Sequence, residues 1–232
     1  MKITQESFSK RWIAYFDILG FRTLVQKENP LTILSIYDEA VLQAKRQIEF
    51  PQSAGDEIRF GYFSDTFFFY SDDDSGRAYT WVQSIAKNFI RQCLVGEPFI
   101  PIRGAIACDE FYVDSLRNIY FGKALVEAYE WAESQDWIGL VLTKSALTKI
   151  REFDLDPSRH QFCLIDIPIN KKHSVKDLES KSFAYNFHAE MINPANLINV
   201  LIFQEESVSV DIRPKYRNTI DYLLGISHQA MV

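Results

Sequence analysis

Apolar and polar positions in the first half of the chain follow periods typical of strands and helices. Residues 11–18 have the two-residue period of a strand, which places Ile13, Tyr15 and Asp17 on one face. A turn and a short helical segment follow this strand. Apolar residues then recur at helical spacing from Asn29-Pro30 onward, and this pattern predicts a long helix that ends before the polar segment 51–56.

Two aromatic-rich runs, residues 58–63 and 66–71, flank the dipeptide Ser64-Asp65, a pattern typical of a β-hairpin. A second long helix is predicted over residues 77–94, and residues 101–108 read as a fourth strand. The order β-α-β-β-α-β is that of a ferredoxin-like α/β (α+β) core, in which an antiparallel sheet has both helices on one face.

The second half of the chain has a weaker pattern, and its predicted elements are less regular. We expect a helix over 122–134, a strand over 137–142, a helix over 143–153, a strand pair at 161–169 and 182–189 joined by a charged loop, and a helix over 213–227. No internal repeat or linker is evident. We therefore expect one domain, residues 1–232, with a core of about 11–190 and a C-terminal extension of about 191–232.

Composition narrows the class of protein. The chain has 232 residues, is 47% hydrophobic and carries a formal net charge of −6, which argues against sequence-independent nucleic-acid binding. Its three cysteines form no CxxC pair and predict free thiols in a reducing compartment. There is neither a signal-peptide pattern nor an apolar run of about 18 residues. We expect a soluble, cytoplasmic protein.

The first candidate for chemistry is a pair of aspartates. Asp17 ends the first strand, and Asp65 lies at the hairpin tip. In a βαββαβ sheet the first and third strands are neighbours, so the two carboxylates should lie close together. Like charges at short range favour either protonation of one group or a bound cation. Two carboxylates with backbone carbonyls suit Mg²⁺, and two such ions can serve a phosphoryl displacement.

The turn after the first strand is the second candidate. Leu19-Gly20-Phe21 forms a tight turn before a helical segment, and its backbone N–H groups can hold phosphate oxygens. Arg22 can add a charge-assisted contact. The four histidines lack metal-ligand spacing. The run Asp72-Asp73-Asp74 reads as a solvated segment before a helix.

These residues resemble the motifs of the class III nucleotide cyclases. Residues 16–21 (FDILGF) match the F-x-D-I-x-G-F element that opens the catalytic domain of that family, and Asp65 in YFSDTFF matches its second metal aspartate. Arg103 matches the first residue of R-x-G-x-H-x-G, and 119–132 resembles the aromatic-Gly pair and following helix. The resemblance covers roughly residues 11–190.

The resemblance implies an activity and a set of partners. A nucleoside triphosphate would lose pyrophosphate as its 3′-oxygen attacks the α-phosphorus. Asp17 and Asp65, with the Ile18 carbonyl, would hold two Mg²⁺ or Mn²⁺ ions, and Asp17 and Asp65 would be the catalytic residues. The triphosphate would bind at Gly20, Phe21 and Arg22. A homodimer with its sites at the interface is also implied.

The chain departs from the family at positions that read a purine or stabilise the transition state. Gly61 stands where purine cyclases carry a lysine, and Ile119 where they often carry Asp. Val126 and Glu130 align with the helical Asn and Arg. One interpretation is a degenerate, non-catalytic nucleotide-binding or interaction module. Another is activity on a different base.

The second interpretation resembles the pyrimidine cyclases of the bacterial Pycsar antiphage system, which make cyclic UMP or cyclic CMP for a separate effector. We expect UTP to be favoured over CTP; a purine cyclase remains an alternative. Tyr62 is the candidate for contact with the base, although a strand tyrosine is often a packing residue. Arg103 can hold the triphosphate or the base, or pair with a carboxylate. Arg59 has less support, and Lys171-Lys172 can reach a partner's triphosphate or lie in solvent.

Overall fold

The computed structural model describes residues 8–27, 29–49, 58–170, 181–186 and 194–229. Lys171 and Lys172 lie outside these ranges. The described part contains eight strands and seven α-helices. In chain order they are β1 (Phe8–Ile18), α1 (Phe21–Lys27), α2 (Pro30–Glu49), β2 (Ile58–Phe63), β3 (Thr66–Ser71), α3 (Gly76–Val95), β4 (Ile102–Asp114), β5 (Ile119–Phe121), α4 (Lys123–Ser134), β6 (Leu140–Leu142), α5 (Lys144–Glu152), β7 (Phe162–Asp166), β8 (Lys181–Tyr185), α6 (Pro194–Ser207) and α7 (Arg213–Gln229).

The strands form one sheet in the order β2-β3-β1-β4-β6-β8-β7, with β5 paired to β4 outside this path. The first four strands are antiparallel and have the predicted ferredoxin-like order. β6 pairs parallel with β4, and β8 and β7 continue the sheet in the antiparallel sense. The α/β fold class and the βαββαβ core are therefore confirmed.

The two faces of the sheet are covered by different helices. On one face, buried residues of α2, α3, α5, α6 and α7 join a large apolar cluster with alternate residues of the strands, such as Phe16 and Phe69. On the other face, Ala124, Ala128 and Trp131 of α4 pack over Tyr15 and their strand neighbours. β1 is buried on both faces, so an unpaired charged residue within it costs folding free energy.

The hairpin and both long helices of the first half match the sequence prediction closely. β2 and β3 have the predicted bounds, and Ser64 at the turn has a φ of +54°. Ser75 caps α3 by accepting a hydrogen bond from the Ala78 N–H, at 3.1 Å. The fourth strand is longer than expected, because Ile102–Asp114 pairs along the whole of β1.

The second half departs more from expectation. The strand predicted over 137–142 is only Leu140–Leu142, because the Trp137 ring turns into the α4 face and bonds Gln135, at 2.9 Å. The Ile138 N–H donates to Thr219 of α7, at 2.8 Å, instead of to a strand. β7 and β8 form the predicted pair, although residues 187–189 lie outside the described ranges.

The C-terminal region adds two helices to the core. α7 covers the predicted helix, whereas α6 was not predicted. Leu197 and Leu201 of α6 and Tyr216 of α7 are buried in the same cluster as β1. The C-terminal extension is thus packed on the sheet. No helix in the described ranges combines the length and the apolar character needed to cross a membrane.

Candidate active site

Asp17 lies at the end of β1, between the strands on either side of it. Its register partners are Thr66 of β3 and Arg103 of β4. The alternation along β1 directs the Asp17 side chain to the α4 face, together with Tyr15. The Asp17 side chain is 13% exposed. The sequence therefore places a largely buried carboxylate in the middle of the sheet, where it requires a partner.

That partner is Arg103. Its Nε and one terminal nitrogen donate to Oδ2 of Asp17, at 3.3 and 3.1 Å. The other terminal nitrogen donates to the backbone carbonyls of Glu133 and Gln135, at 3.0 and 3.1 Å. A further bond joins Arg103 to the Glu133 carboxylate. All five N–H donors of the guanidinium are therefore used within the chain.

The cluster holds more negative than positive charge. The pKa of Asp17 is raised from 3.8 to about 7, because burial and, to a smaller extent, the charges of Glu133 and Asp65 raise it by more than Arg103 lowers it. The guanidinium therefore does not fully compensate the carboxylate. Both bonds from Arg103 go to Oδ2, and Asp17 Oδ1 accepts no hydrogen bond from the described residues. One oxygen of Asp17 is thus held, and the other is free to bind a cation.

Asp65 lies beside this cluster, as the strand order predicts. The Ile18 N–H donates to the Asp65 carbonyl, at 3.0 Å, so the hairpin tip is bonded to the residue after Asp17. The Asp65 carboxylate has no hydrogen bond or ion pair with any residue in the described ranges. The structure therefore brings Asp17, Ile18 and Asp65 together.

Two neighbours of Asp17, Thr66 and Glu133, were not found from the sequence, whereas Tyr15 lies on the face that the strand period predicts. The Tyr15 hydroxyl and Thr66 hydroxyl lie 3.1 Å apart, next to Asp17 on the same face. Thr66 could have been found from the hairpin register, because it pairs with Asp17. Glu133 has no local signal in the sequence. It reaches the site because the last turn of α4 crosses the sheet above Arg103.

The turn after β1 is formed as predicted. Gly20 has a φ of +75°, a conformation that favours glycine. Phe21 begins α1 and packs on the larger apolar cluster, while Arg22 is exposed. The Leu19 N–H is already bonded to the Pro101 carbonyl, at 2.9 Å. Contact of this turn with a triphosphate stays a prediction, as it does for Arg103.

Tyr62 is not brought to Asp17. It lies on the opposite face of the sheet, where its ring stacks on Phe60 and Phe67 at centroid distances of 5.7 and 6.2 Å. Its neighbour Gly61 faces the Asp17 side instead. A Cβ atom at Gly61 would lie 2.4 Å from the Phe68 ring, so that ring fills the space beside the glycine.

The remaining residues considered in the sequence have ordinary surroundings. Arg59 forms a surface ion pair with Asp72, at 3.2 Å. Val126 and Glu130 of α4 are exposed, as is Ile119 on β5. Asp73 accepts a hydrogen bond from the Ser75 N–H before α3, at 2.9 Å, which agrees with a helix-capping role for this acidic run.

The residues present fit a divalent cation held by few protein ligands. No group of three or more His, Cys, Asp and Glu side chains in the described ranges is arranged to hold a metal ion. The site offers two carboxylates, a free Oδ1 on Asp17 and excess negative charge. Mg²⁺ is commonly bound by one or two carboxylates, with waters and substrate phosphates completing its shell. This donor set suits such an ion.

No protein-family model matches the chain, and no curated protein matches its sequence. Solved structures of nucleotide cyclases do match its fold. The adenylyl cyclase CyaB from P. aeruginosa has a TM-score of 0.54 at 10% identity, over 77% of this chain and 93% of that one. The catalytic core of a rhodopsin-guanylyl cyclase with converted specificity, in complex with ATPαS, has a TM-score of 0.51 at 12% identity, over 76% of this chain and 93% of that one.

The guanylyl cyclase domain of the RhoGC fusion protein from Blastocladiella emersonii is a further match. A monomeric structure of it has a TM-score of 0.53 at 12% identity, over 77% of this chain and 95% of that one. Another structure of this domain is dimeric, in a non-standard arrangement. It has a TM-score of 0.50 at 13% identity, over 76% of this chain and 93% of that one. At these identities the likeness concerns the fold: the chain has the fold of adenylyl and guanylyl cyclase catalytic domains.

Proposed function

We propose that this protein is a metal-dependent nucleotide cyclase that converts a pyrimidine nucleoside triphosphate, UTP before CTP, to its 3′,5′-cyclic monophosphate and pyrophosphate. The observation that carries the proposal is that Asp17 and Asp65 are brought to one end of a cyclase-like sheet, where the Ile18 N–H donates to the Asp65 carbonyl, at 3.0 Å. Their excess negative charge is costly without a cation, and a metal–triphosphate complex supplies one.

The proposed roles follow from the geometry. Oδ1 of Asp17, the Ile18 carbonyl and the Asp65 carboxylate would hold two Mg²⁺ or Mn²⁺ ions. When bound, such ions favour ionisation of the attacking 3′-hydroxyl and neutralise charge on the phosphates. The turn at Gly20 and Phe21 would orient the triphosphate through backbone N–H groups, and Arg22 would add a charge from the exposed side of α1.

Arg103 and Glu133 act on Asp17 in this proposal. Arg103 holds Oδ2 and leaves Oδ1 directed to the ion, while Glu133 and two backbone carbonyls hold Arg103 in place. Because all five donors of the guanidinium are occupied, direct contact with a triphosphate would require one of these bonds to break. Arg103 is therefore better suited to position Asp17 than to bind substrate.

The preference for a pyrimidine rests on Gly61. At the position where purine cyclases carry a base-reading lysine, this chain has no side chain, and the Phe68 ring fills the space. The Tyr120 ring packs on Phe68 at 5.0 Å and adds further bulk on the same face. A pocket reduced in this way suits a smaller base. Direct reading of the base by Tyr62 would require approach from the other face.

A homodimer and a downstream effector complete the proposal. Val126 and Tyr129 of α4 are 54% and 49% exposed, which leaves an apolar surface for a second copy to cover. The cyclic nucleotide would act on a separate effector in antiphage defence.

A non-catalytic nucleotide-binding module is the second candidate. It is favoured by the Asp17–Arg103 pair, which already neutralises part of the charge that a metal would neutralise. It is also favoured by the absence of an Asn or Arg at the exposed positions of α4.

Incubation of purified protein with Mn²⁺ or Mg²⁺ and each of the four NTPs tests the proposal. We expect cyclic UMP or cyclic CMP and pyrophosphate, and no product from Asp17→Asn or Asp65→Asn. Dominant cyclic AMP or cyclic GMP would refute the pyrimidine assignment. Metal-independent binding of a non-hydrolysable NTP without turnover would favour the binding module.

A further inference from the structure

A cavity of about 380 Å³ lies beneath the turn that follows β1. Its walls come from four places: the turn itself, α1 and α2, the segment 98–101, and the junction of α6 and α7. Leu19 and Gly20 line the cavity from the turn, and Ser209, Ile212 and Tyr216 line it from the α6–α7 junction. The volume is within the range of small-molecule sites in proteins, about 300 to 1,000 Å³.

This cavity adjoins the proposed nucleotide site through Ile18 and Gly20, which line it, but its remaining walls are distinct from that site. It lies on the face of the sheet that packs against α2, α3, α6 and α7, whereas the Asp17 side chain points to the α4 face. Neither Asp17 nor Asp65 lines it. None of its lining residues carries a charge. A triphosphate would find no counterion there, so the cavity does not suit the proposed substrate.

The walls favour an uncharged molecule with a small polar group. Most of the lining is aliphatic or aromatic, with Gln204, Ser207, Ser209 and Tyr216 as the polar members nearest the α6–α7 junction. The Ser209 hydroxyl is buried and has no hydrogen-bond partner among the residues that the structure describes. Such groups in native proteins usually have a partner, and a ligand whose polar group reaches this wall of the cavity could supply one.

The walls of the cavity are also joined to the turn by a hydrogen bond and by a packing contact. Leu19 donates to the Pro101 carbonyl, at 2.9 Å, and both residues line the cavity. A Cβ atom placed on Gly20 would lie 3.4 Å from Ile212, so the turn rests directly on the α6–α7 junction. The Ser209 carbonyl accepts from the N–H groups of Ile212 and Arg213, each at 3.0 Å, which fixes that junction.

We infer that this cavity binds an uncharged, mainly apolar small molecule with a hydrogen-bonding group, and that its occupancy modulates activity through the Leu19-Gly20 turn. Binding is independent of the proposed function, whereas the modulation rests on it. An occupied cavity would hold the turn against α7 and so set the position of its backbone N–H groups relative to Asp17.

Calorimetric titration of metal-free, nucleotide-free protein with 1-naphthol tests the binding. We expect saturable binding to one site, and at least tenfold weaker binding of the charged analogue 1-naphthalenesulfonate. Ser209→Leu should fill part of the cavity and weaken naphthol binding at least tenfold. Ser115→Leu, on the exposed turn after β4, is the matched control and should bind as the wild type does.

Ser209→Ala keeps the test valid if the leucine variant does not fold. It should weaken binding of 1-naphthol severalfold and leave binding of naphthalene, which lacks the hydroxyl, unchanged. Absence of saturable binding, equal binding of the sulfonate, or insensitivity to both substitutions at Ser209 would overturn the site.

Turnover with saturating 1-naphthol tests the modulation separately. We expect at least a twofold change in the wild type and in Ser115→Leu, and none in Ser209→Leu. If naphthol binds but an active enzyme is unaffected, the modulation is wrong and the site stands. If no NTP is turned over, the proposed function fails while the calorimetric result still decides the site.

Discussion

Substitution of Asp17 by asparagine should stabilise the metal-free protein at neutral pH while it abolishes turnover. The pKa of Asp17 is raised from 3.8 to about 7, mainly by burial. A group whose folded-state pKa lies above its unfolded value binds its proton more tightly when folded. The protein therefore loses stability as pH rises from about 4 to about 7, and the loss is complete above pH 7.

The magnitude follows from the size of this shift. About three pKa units correspond to about 4 kcal/mol at roughly 1.4 kcal/mol per unit. Relaxation around the charge reduces this, so we expect Asp17→Asn to gain about 2 to 4 kcal/mol at pH 8, or about 5 to 15 °C in Tm for a chain of this size. Asparagine keeps an acceptor for Arg103 and removes the uncompensated charge.

Urea denaturation in EDTA at pH 4, 6 and 8 measures the effect. The difference between Asp17→Asn and the wild type should be near zero at pH 4 and reach its full value by pH 8. Asp65→Asn is the matched control: its carboxylate has no partner in the described part of the chain, so its stability should change by less than about 1 kcal/mol. A loss of stability in Asp17→Asn at pH 8 would refute the charge argument.

Three further substitutions test the packing and the proposed roles. Gly61→Ala should lose about 1 to 3 kcal/mol in urea denaturation, because its Cβ would lie 2.4 Å from the Phe68 ring; unchanged stability would mean that the ring moves freely. Phe89→Ala should lose about 3 to 5 kcal/mol by calorimetry, since its buried ring packs 5.0 Å from that of Phe16; a loss under about 1 kcal/mol would contradict this packing. Arg103→Lys cannot make five bonds and should lower kcat with little change in KM; a raised KM alone would instead indicate substrate contact.

The local pattern of apolar and polar residues was sufficient to predict the elements and the strand order of the first half of the fold. The bounds of β2 and β3 could be predicted because Ser64-Asp65 separates two runs of strand-forming residues. The pairing of β1 with β3 followed from the βαββαβ order, and that order brings Asp65 to Ile18. Turn-forming residues and hydrophobic periodicity are local properties, so they can be recognised in the sequence.

Other elements depended on contacts that no local pattern records. The strand predicted to begin at Trp137 begins only at Leu140, because the Trp137 ring packs on the α4 face and the Ile138 N–H donates to Thr219 of α7. α6 was missed because its apolar residues lack a clear helical stripe, and it is stabilised by packing on α7 and the sheet. Both outcomes reflect tertiary packing that outweighs local preference.

The residues of the candidate site also fall into those that the sequence predicted and those that only the structure revealed. The sequence by itself determined that a carboxylate would lie buried at the end of β1 with a second carboxylate beside it, because strand period and strand order fix both positions. Only the tertiary structure decided that Arg103 and Glu133 complete the cluster, since α4 and β4 meet there from distant parts of the chain. It also decided that Tyr62 faces away from Asp17, because the strand register pairs Asp17 with Thr66 and Tyr62 with Phe67, whose side chain points to the other face.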